Sequence, residues 1–360
     1  MNKHKIYLEP LGITRGLTAS GKYFRKLQNS EAYYSHLKII KRNSQSVHHE
    51  IISVTELDDY FSKINENDKR EVQKLIENIE RIREPLELKN GLKFDFKNPI
   101  IQGVLNVTPD SFSDGGEFNE FGSAMDQISA MISDGADIID IGGESTKPGA
   151  KAVTIDEELS RVIPVIKNIK NKKIPISIDS RNSEVMKMAM KSGAHIINDV
   201  SALEYDVDSV NIVRGENVPI ILMHSQGTPE TMQDNPDYQC VYLDIYDYLE
   251  ERIEHCVKNG ISRRNIIVDP GIGFGKTVEH NLQILKHISI FHGLGVPLLI
   301  GVSRKSFIGK ICDEEIPANR IHGSISAAQH CINRGVHIIR VHDVKETKQA
   351  ITVLQNIQSS

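Results

Sequence analysis

The amino-acid sequence predicts an α/β protein, a TIM (β/α)8 barrel with an N-terminal capping hairpin and a small α+β N-terminal appendage. A nine-residue motif occurs three times, each time after an amphipathic stretch. Its copies are GADIIDIGG from Gly135, GAHIINDVS from Gly193 and GVHIIRVHD from Gly335. The glycine fits a helix end that needs a left-handed residue, and the Ile-Ile pair fits a buried strand. Polar residues then end each strand, where such barrels carry their chemistry.

Length and composition narrow the classes of function. The 360 residues suffice for a large core and more than one domain, and 39% hydrophobic with 25% charged residues is typical of a globular protein. A net charge of −5 argues against a nucleic-acid or anionic-membrane surface. No apolar run has transmembrane length, and the cysteines lack paired or metal-ligand spacing. We therefore expect reduced thiols and a cytoplasmic location.

Residues 1–84 form a predicted α+β appendage without a chemical signature. Stretches 5–9, 35–41 and 50–54 are predicted strands, and residues 67–84 are a predicted amphipathic helix ended by Pro85. The apolar face of this helix consists of Val72, Leu75, Ile76, Ile79 and Ile82. The functional residues are therefore expected in residues 86–360.

This second domain begins with a hairpin and continues with eight strand–helix units. Apolar residues alternate on both sides of Asn90-Gly91, which predicts a type I′ turn in a hairpin that plugs the bottom of the barrel. The predicted strands are 100–106, 138–142, 175–179, 196–199, 219–223, 266–269, 297–302 and 338–341. Thr154 and Glu157 match a capping box that opens a helix. Eight regular units favour a closed barrel over an open doubly wound sheet.

Polar residues end three strands in the middle of the predicted barrel. Asp179 ends the third strand, Asn198 lies at the end of the fourth, and Asp269 ends the sixth. Because the carboxyl ends of barrel strands meet at one rim, we expect these side chains to point into one cavity. A buried carboxylate is costly unless it meets donors, so the group predicts a ligand with several N–H donors, such as a guanidine-like heterocycle edge.

The last two strands bring cationic or hydrogen-bond-donor groups to the same rim. Lys305 follows the seventh strand, and Arg340 and His342 lie at the end of the eighth. Closure of the barrel places them beside the first strand, which ends at Asn106. This arrangement suits a phosphate or diphosphate. The loops after the first two strands are rich in Gly, Ser, Pro and Thr, and we expect them to act as lids.

Several polar residues also have a simpler structural explanation. A single aspartate at a strand end can serve a turn or a helix cap. Lys276 follows a glycine-rich run that lacks the spacing of a phosphate-binding loop. His224 is expected to be a satisfied strand-end histidine rather than a metal ligand. Asp137, His195 and His337 precede the Ile-Ile pairs and are expected at the bottom of the barrel. The convergence of acidic and basic groups at one rim still favours a functional site.

Seven segments closely resemble the dihydropteroate synthase family, the sulfonamide targets of folate biosynthesis. They are 106–116, 142–149, 179–181, 198–201, 269–276, 303–306 and 340–343, in the order that the family has them. The resemblance runs from the hairpin to the C-terminus and does not extend to residues 1–84. It implies an enzyme that joins p-aminobenzoate to the diphosphate ester of 6-hydroxymethyl-7,8-dihydropterin and releases diphosphate, with Mg²⁺ as cofactor.

The resemblance implies a role for each matching residue. The implied pterin-binding residues are Asp179, Asn198, Asp269, Lys305 and Arg340, and Met223 is a further implied substrate-binding residue. The implied diphosphate-binding residues are Asn106, Thr146, Lys147, Arg340 and His342, and Asn106 is also the implied Mg²⁺ ligand. The implied p-aminobenzoate-binding residues are Pro148, Phe274 and Ser306. The implied catalytic residues are Lys305, Arg340 and Asp110, of which Asp110 organises the closed site.

The implied reaction is dissociative, because carboxylates can stabilise the pterin cation left when diphosphate departs. Two alternatives stay open, a pterin-binding methyltransferase that acts on methyltetrahydrofolate and a catalytically silent pterin-binding module. The cationic groups of the last two strands argue against the methyltransferase, which has no use for a diphosphate site. The family also implies small-molecule partners, no nucleic-acid or membrane partner, and a homodimer that pairs through late helices.

The second loop departs from the family pattern at one position. Lys147 stands where the family usually has arginine. Lysine keeps the positive charge but lacks the planar fork that binds phosphate through two parallel hydrogen bonds. We therefore predict that Lys147→Arg lowers the KM for the pterin diphosphate severalfold, as measured by steady-state kinetics. An unchanged KM, equal to that of the nearby control Lys151→Arg, would contradict this prediction.

Overall fold

The structure of the chain, a computed structural model, begins with the α+β appendage. It describes residues 4–15, 22–28, 32–89, 91–107, 117–145, 150, 153–227 and 231–359. The described strands and α-helices of the appendage are β1 (Lys5–Leu11), β2 (Thr14–Arg15), β3 (Arg25–Lys26), β4 (Ala32–Tyr34), β5 (His36–Arg42), β6 (Val47–Ser53), α1 (Leu57–Lys63) and α2 (Glu66–Glu80). Strands β1, β5 and β6 form one antiparallel sheet, on which α2 packs through a separate apolar cluster that includes Leu8, Leu37 and Ile76.

Helix α2 is shorter than the sequence pattern indicates. It ends at Glu80, where Arg81 turns to an extended ψ of 126°. The guanidinium of Arg83 donates hydrogen bonds to the carbonyls of Asn78 and Arg81, both at 3.0 Å. These bonds satisfy carbonyls near the end of the helix, where intrahelical donors run out. Ile82 consequently lies beyond the helix and is 69% exposed, so its predicted place on the apolar face is wrong.

The hairpin that follows has a different turn from the predicted one. Its strands are β7 (Leu86–Glu87) and β8 (Lys93–Phe94). The amide of Gly91 donates to the carbonyl of Leu88 at 2.9 Å, and the amide of Leu88 donates to the carbonyl of Leu92 at 2.9 Å. Three residues therefore separate Leu88 from Leu92, and the prediction of a two-residue type I′ turn is wrong. Gly91 supplies the left-handed conformation (φ 80°), while Asn90 lies outside the described residues.

Eight parallel strands follow and close into the predicted barrel. They are β9 (Ile100–Asn106), β10 (Ile138–Gly142), β11 (Ile176–Asp179), β12 (Ile196–Asp199), β13 (Ile220–Met223), β14 (Ile266–Asp269), β15 (Leu299–Ile300) and β16 (Ile338–Val341). The sheet runs from β14 back to β9 and on through β16 to β15. A bridge between Val268 and Leu298 joins its two ends. The open doubly wound sheet is therefore excluded, because neither β14 nor β15 is left as an edge.

Helices alternate with the strands and cover the outside of the barrel. They are α3 (Glu117–Ser133), α4 (Ile155–Ile169), α5 (Ser183–Ser192), α6 (Ser209–Glu216), α7 (Val241–Lys258), α8 (Val278–Lys286), α9 (Ser306–Cys312), α10 (Ile321–Asn333) and α11 (Val344–Ser359). Helix α4 begins at the predicted cap, because the hydroxyl of Thr154 accepts a hydrogen bond from the amide of Glu157 at 3.2 Å. The second half of the predicted capping box is absent, because the carboxylate of Glu157 pairs with Arg161 instead. Within the described ranges, no helix has the length and apolar character needed to cross a membrane.

The interior of the barrel is divided into an apolar and a polar layer. The lower layer packs on the hairpin residues Leu86, Leu88 and Phe96, so the hairpin plugs the barrel as predicted. This lower layer consists of Ile100, Ile138, Ile196, Ile221, Ile267, Leu299 and Ile338. Side chains on one face of a strand repeat every second residue, so the next inward layer lies two positions further on. That layer includes Gln102, Asp140, Ser177, Asn198, Met223, Asp269 and Arg340.

The three copies of the repeated motif have the predicted structure. Their glycines follow helices with positive φ, 96° at Gly135, 119° at Gly193 and 83° at Gly335. The residue two positions later accepts a hydrogen bond from a backbone amide of the neighbouring strand segment. These pairs are Asp137 with Ile101 (2.8 Å), His195 with Ile176 (3.1 Å) and His337 with Leu298 (2.9 Å). Each polar side chain thus satisfies a buried amide at the lower rim, and the predicted bottom position is confirmed.

Polar contacts join the appendage to the barrel. The amide nitrogen of Gln28 lies 2.6 Å from Nδ1 of His292, and its amide oxygen contacts Nε2 of His337. On helix α7, Asp247 accepts a hydrogen bond of 2.9 Å from the hydroxyl of Tyr7. The appendage therefore contacts both the lower rim of the barrel and one of its outer helices.

Candidate active site

Arg340 is the centre of the polar layer. From β16 its Nε donates to Oδ2 of Asp140 at 2.7 Å, and its Nη2 donates to Oδ2 of Asp179 at 2.6 Å. The side-chain amide of Asn198 donates to the same oxygen of Asp140 at 3.2 Å. The other oxygens of both carboxylates are buried and have no hydrogen-bond partner among the described residues. Two acceptor atoms are therefore free to receive hydrogen bonds from a ligand.

Burial controls the protonation of these carboxyl groups. It raises the pKa of Asp179 to about 7, against the attraction of Arg340, and the nearby charge of Asp140 raises this pKa further. Burial likewise raises the pKa of Asp269, although the amide of Gly271 donates to its Oδ1 at 2.8 Å. The cost of keeping such groups ionised falls when a ligand supplies donors, which makes them a binding site for an N–H-rich molecule.

Lys305 reaches the same cavity from the start of helix α9. Its Nζ lies 4.2 Å from the centroid of the Phe274 ring. Burial and the charge of Arg340 lower the pKa of Lys305 to about 8, while Asp269 and Asp179 act in the opposite direction. Lys305 therefore remains largely protonated at neutral pH and faces both the acidic residues and the apolar wall.

His342 contributes a neutral donor rather than a charge. Burial, with the positive charges of Arg340, Arg304 and Lys305, lowers the pKa of His342 to about 3. Its Nδ1 lies 3.0 Å from the hydroxyl of Ser303, which also accepts a hydrogen bond from the backbone amide of residue 342 at 3.2 Å. If the hydroxyl donates to Nδ1, the neutral ring presents its Nε2–H to a ligand.

Asn106 and Gly142 leave room at the opposite side of the rim. Asn106 ends β9, and its side-chain amide has no hydrogen bond to another described residue. A Cβ atom placed on Gly142 would lie 3.8 Å from Oδ1 of Asn106 and 3.6 Å from Cβ of Asp179. The glycine at the end of β10 therefore keeps the space between these two side chains open.

An apolar wall completes the described part of the cavity. Met223, Met232 and Phe274 are buried and form one cluster. Met223 ends β13 directly beside Asp269 in the strand register. Ser306, the first residue of α9, is exposed at the rim. The cavity thus has an acidic side, a basic side and an apolar wall, as expected for a site that orients a flat organic ligand.

Comparison with known proteins identifies the family. Residues 102–342 match the model of the pterin binding enzyme family. Dihydropteroate synthase of Escherichia coli strain K12 is 44% identical over 266 residues, covering 74% of this chain and 94% of the relative. The enzyme of Bacillus subtilis strain 168 is 45% identical, with coverages of 69% and 84%. The chain belongs to the dihydropteroate synthase family.

Solved structures of the family superimpose on the chain. Dihydropteroate synthase of Xanthomonas albilineans with 4-aminobenzoic acid has a TM-score of 0.73 and 41% identity, and the match covers 77% of this chain and 98% of that one. The Yersinia pestis enzyme in a sulfonamide drug complex has a TM-score of 0.73 and 41% identity, with coverages of 77% and 100%. The family resemblance and the barrel fold predicted from the sequence are therefore confirmed.

Not every predicted site residue can be placed. Asp110, Thr146, Lys147 and Pro148 lie outside the described residues. Next to the second loop, Glu144 accepts hydrogen bonds of 2.8 and 3.0 Å from the guanidinium of Arg181. This pair is largely buried and joins the loops that follow β10 and β11.

Sequence reasoning missed three polar residues inside the barrel. Asp140 binds Arg340 directly, and the buried side chains of Gln102 and Ser177 have no hydrogen-bond partner among the described residues. The predicted site residues lie at strand ends, whereas these three lie inside the strands, one inward-facing position lower. The alternation of the strand Ile-Ile-Asp-Ile-Gly already indicated that Asp140 faces inward, because it lies two positions after Ile138.

A second missed interaction holds the loop after β14. Nζ of Lys276 lies 2.9 Å from Nδ1 of His224 and 2.8 Å from the carbonyl of Phe274. Burial lowers the pKa of both Lys276 and His224, and the charge of Lys276 lowers the pKa of His224 further. The lysine therefore fixes the loop that carries Phe274. His224 accepts this contact, in keeping with a satisfied histidine, and the described residues contain no group of three metal-ligating side chains.

We predict that Asp140→Asn reduces kcat/KM by about tenfold or more, because Arg340 loses a charge-assisted hydrogen bond and is no longer held between two carboxylates. The matched control is Asp137→Asn, which makes the same change at the lower rim and should leave kcat/KM within about twofold of the wild type. Thermal unfolding of both variants separates loss of activity from loss of stability. Equal kcat/KM values for the two variants would show that Asp140 does not position Arg340.

Proposed function

We propose that this chain is a dihydropteroate synthase, which condenses p-aminobenzoate with the diphosphate ester of 6-hydroxymethyl-7,8-dihydropterin to give 7,8-dihydropteroate and diphosphate. The observation that carries the proposal is a single cavity in which buried carboxylates face Arg340 and Lys305. The names of the relatives support it, and two related structures contain 7,8-dihydropteroate. All assigned site residues fall in residues 86–360, which we propose as the catalytic domain, separate from the appendage of residues 1–84.

The polar layer suits the pterin ring. A pterin presents ring N–H and amino donors along one edge, and Asp179, Asn198 and Asp269 supply acceptors for that edge. Met223 lies beside Asp269 and offers an apolar contact to the ring. Lys305 donates to the ring carbonyl, and the planar guanidinium of Arg340 lies over the heterocycle. A bound pterin would then donate hydrogen bonds to the carboxylate oxygens of Asp140 and Asp179 that have no partner among the described residues.

The rim between β16 and β9 suits the diphosphate. Arg340 and the Nε2–H of His342 donate to phosphate oxygens, and Thr146 and Lys147 close over them from the second loop. The amide oxygen of Asn106 fits Mg²⁺, because this ion usually takes few protein ligands and fills its remaining positions with water and substrate phosphate. Bound there, Mg²⁺ would neutralise charge that develops on the leaving diphosphate.

The start of helix α9 suits p-aminobenzoate. Ser306 and the first amides of the helix receive the carboxylate, with help from the helix dipole. Phe274 provides one apolar wall for the benzene ring, and Pro148 provides the other. The amino group then points toward the exocyclic carbon of the pterin. The contact of Lys276 with the carbonyl of Phe274 keeps this wall in place.

The reaction proceeds by loss of diphosphate before attack. The carbon–oxygen bond breaks, diphosphate leaves with the electron pair, and the positive charge spreads over the pterin. Asp179 and Asp269 stabilise that charge in a site shielded from water. The arylamine then forms the new carbon–nitrogen bond and loses a proton. A strong base is not required, because the cation is a powerful electrophile. Asp110 in the first loop organises the closed site.

The described geometry favours this function over its alternatives. A methyltransferase that binds a folate needs acceptors for the pterin but no anion site, whereas Lys305, Arg340 and His342 lie together at the rim. A silent binding module would tolerate loss of these groups.

We predict that the full-length chain releases diphosphate only when p-aminobenzoate, the pterin diphosphate and Mg²⁺ are all present. Release is followed by a coupled diphosphate assay, and dihydropteroate is followed by chromatography. Lys305→Gln should reduce kcat about 100-fold or more, because it removes a charge that contacts the ring. Exposed Lys310 on the same helix supplies the control Lys310→Gln. Pterin binding without any turnover would support the silent module and refute the enzyme.

We further propose a homodimer in the cytoplasm. Val353 and Ile357 lie one turn apart on helix α11 and are 54% and 69% exposed, which offers an apolar stripe on a late helix. Cys240, Cys256, Cys312 and Cys331 are free thiols, as expected in a reducing compartment.

The dimer is tested by measuring the mass in solution at micromolar concentration. The wild type should have twice the mass of the chain, and Val353→Asp with Ile357→Asp should convert it to a monomer, because two carboxylates would be buried at the interface. Val207→Asp with Ile51→Asp makes the same change at exposed positions elsewhere and should leave the dimer intact. A wild-type monomer refutes the proposal.

A further inference from the structure

A second cavity lies at the lower rim of the barrel, on the face opposite the active site. Its volume is about 330 Å³. Three separate segments line it: the linker between α2 and β7, the residues just before β14, and the residues just before β15. The linker belongs to the junction between the appendage and the barrel, so the cavity lies where the two parts of the chain meet. None of its lining residues has a role in the proposed reaction.

The walls of this cavity are strongly basic. Four arginines line it, namely Arg81, Arg83, Arg263 and Arg264, against one carboxylate, that of Glu84. In the part of the chain that the structure describes, Arg81, Arg263 and Arg264 make no ion pair within 4 Å, whereas Lys5 and Arg42, for example, are paired with carboxylates of helix α7. Glu87 acts on Arg264 electrostatically but is itself paired with Lys93 at 2.8 Å.

Arg83 forms the buried base of the cavity. It is 3% exposed, and its guanidinium donates to carbonyl oxygens of the helix end and of His292, the latter at 3.3 Å. Burial and the charges of Arg81 and Arg263 lower the pKa of Arg83 to about 9, so it remains charged at neutral pH. Arg83 thus ends helix α2, and it also adds a poorly solvated positive charge behind the exposed arginines.

We propose that this cavity binds a small phosphate ester. Guanidinium groups match phosphate oxygens through paired, charge-assisted hydrogen bonds, and here they converge on one space from two segments, the linker and the residues before β14. The volume lies at the lower end of small-molecule sites and accommodates a phosphorylated metabolite. Ile82 and Val296 line the same cavity and offer an apolar contact to the organic part of the molecule. Isolated surface arginines would be spread over the protein and would not enclose a common space.

Occupancy would join the linker to the barrel. A ligand held by Arg81 from the linker and by Arg263 and Arg264 from the barrel links the appendage to the lower rim. Because such a ligand binds the folded chain and not the unfolded one, it should raise the temperature of unfolding in proportion to the logarithm of its concentration. This site is independent of the proposed catalytic activity, so it can exist or fail whether or not the chain turns over substrate.

The test is isothermal titration calorimetry of the full-length chain carrying Lys147→Gln and His342→Gln, which weaken phosphate binding at the proposed active site. The probes are a hexose phosphate, inorganic phosphate, inorganic diphosphate and sulfate. We expect one hexose phosphate per chain, bound more tightly than inorganic phosphate or sulfate. Adding Arg81→Glu and Arg264→Glu, both at exposed positions, should weaken binding about tenfold or more. If inorganic phosphate or inorganic diphosphate binds more tightly than the hexose phosphate, the cavity binds a free phosphate and not a phosphate ester. That result would overturn the proposal.

The matched control reverses charge elsewhere by the same amount. Lys187 and Lys191 are exposed on helix α5, and Lys187→Glu with Lys191→Glu should leave the affinity for the hexose phosphate unchanged. Equal weakening by both pairs of substitutions would mean that net charge alone attracts the probe. Equal binding of sulfate and the hexose phosphate, or no binding of any probe, would likewise overturn the proposal.

Discussion

The two ion pairs of Arg340 are the constraint on which the rest of the site depends. A guanidinium and two carboxylates lie inside a barrel, where leaving one charge without its partner costs about 3–5 kcal/mol. Arg340 comes from the last strand, and Asp140 and Asp179 come from the second and third strands. They meet because the last barrel strand pairs with the first, which brings it close to the second and third. Closure thus satisfies these charges, and the charges in turn favour the closed barrel with its strands in this register.

The two halves of the barrel interior have different roles, because the lower half stabilises the fold and the upper half forms the proposed active site. The hairpin and the ring of apolar side chains fill the lower half, and the buried polar layer above them carries the site. At the lower rim, Asp137, His195 and His337 accept hydrogen bonds from neighbouring backbone amides. The polar residue at the start of each repeated motif therefore serves the fold, whereas the polar residues at its end line the proposed active site.

The appendage adds a second region of interest on the opposite face. Its contacts through Gln28 and Tyr7 hold it against the lower rim and helix α7, and its last residues turn into a basic cavity beside the barrel. The chemistry at the upper rim and the arginines at the lower rim are separated by the packed hairpin. An effect of ligand binding in the arginine cavity on the proposed active site would therefore have to pass through the apolar layer or through the strands.

The sequence by itself predicted the barrel, its strand positions and the polar residues at its rim, because apolar strand segments and helix-ending glycines are signals that neighbouring residues produce. Such local signals are not sufficient everywhere, since the Asn90-Gly91 pair predicted the wrong turn. It also placed Asp179, Asn198, Asp269, Lys305 and Arg340 at one rim. It could not identify Asp140 as the partner of Arg340, the Lys276–His224 contact or the end of helix α2. Those depend on which distant side chain meets a buried charge or carbonyl, and only the closed tertiary structure decides that.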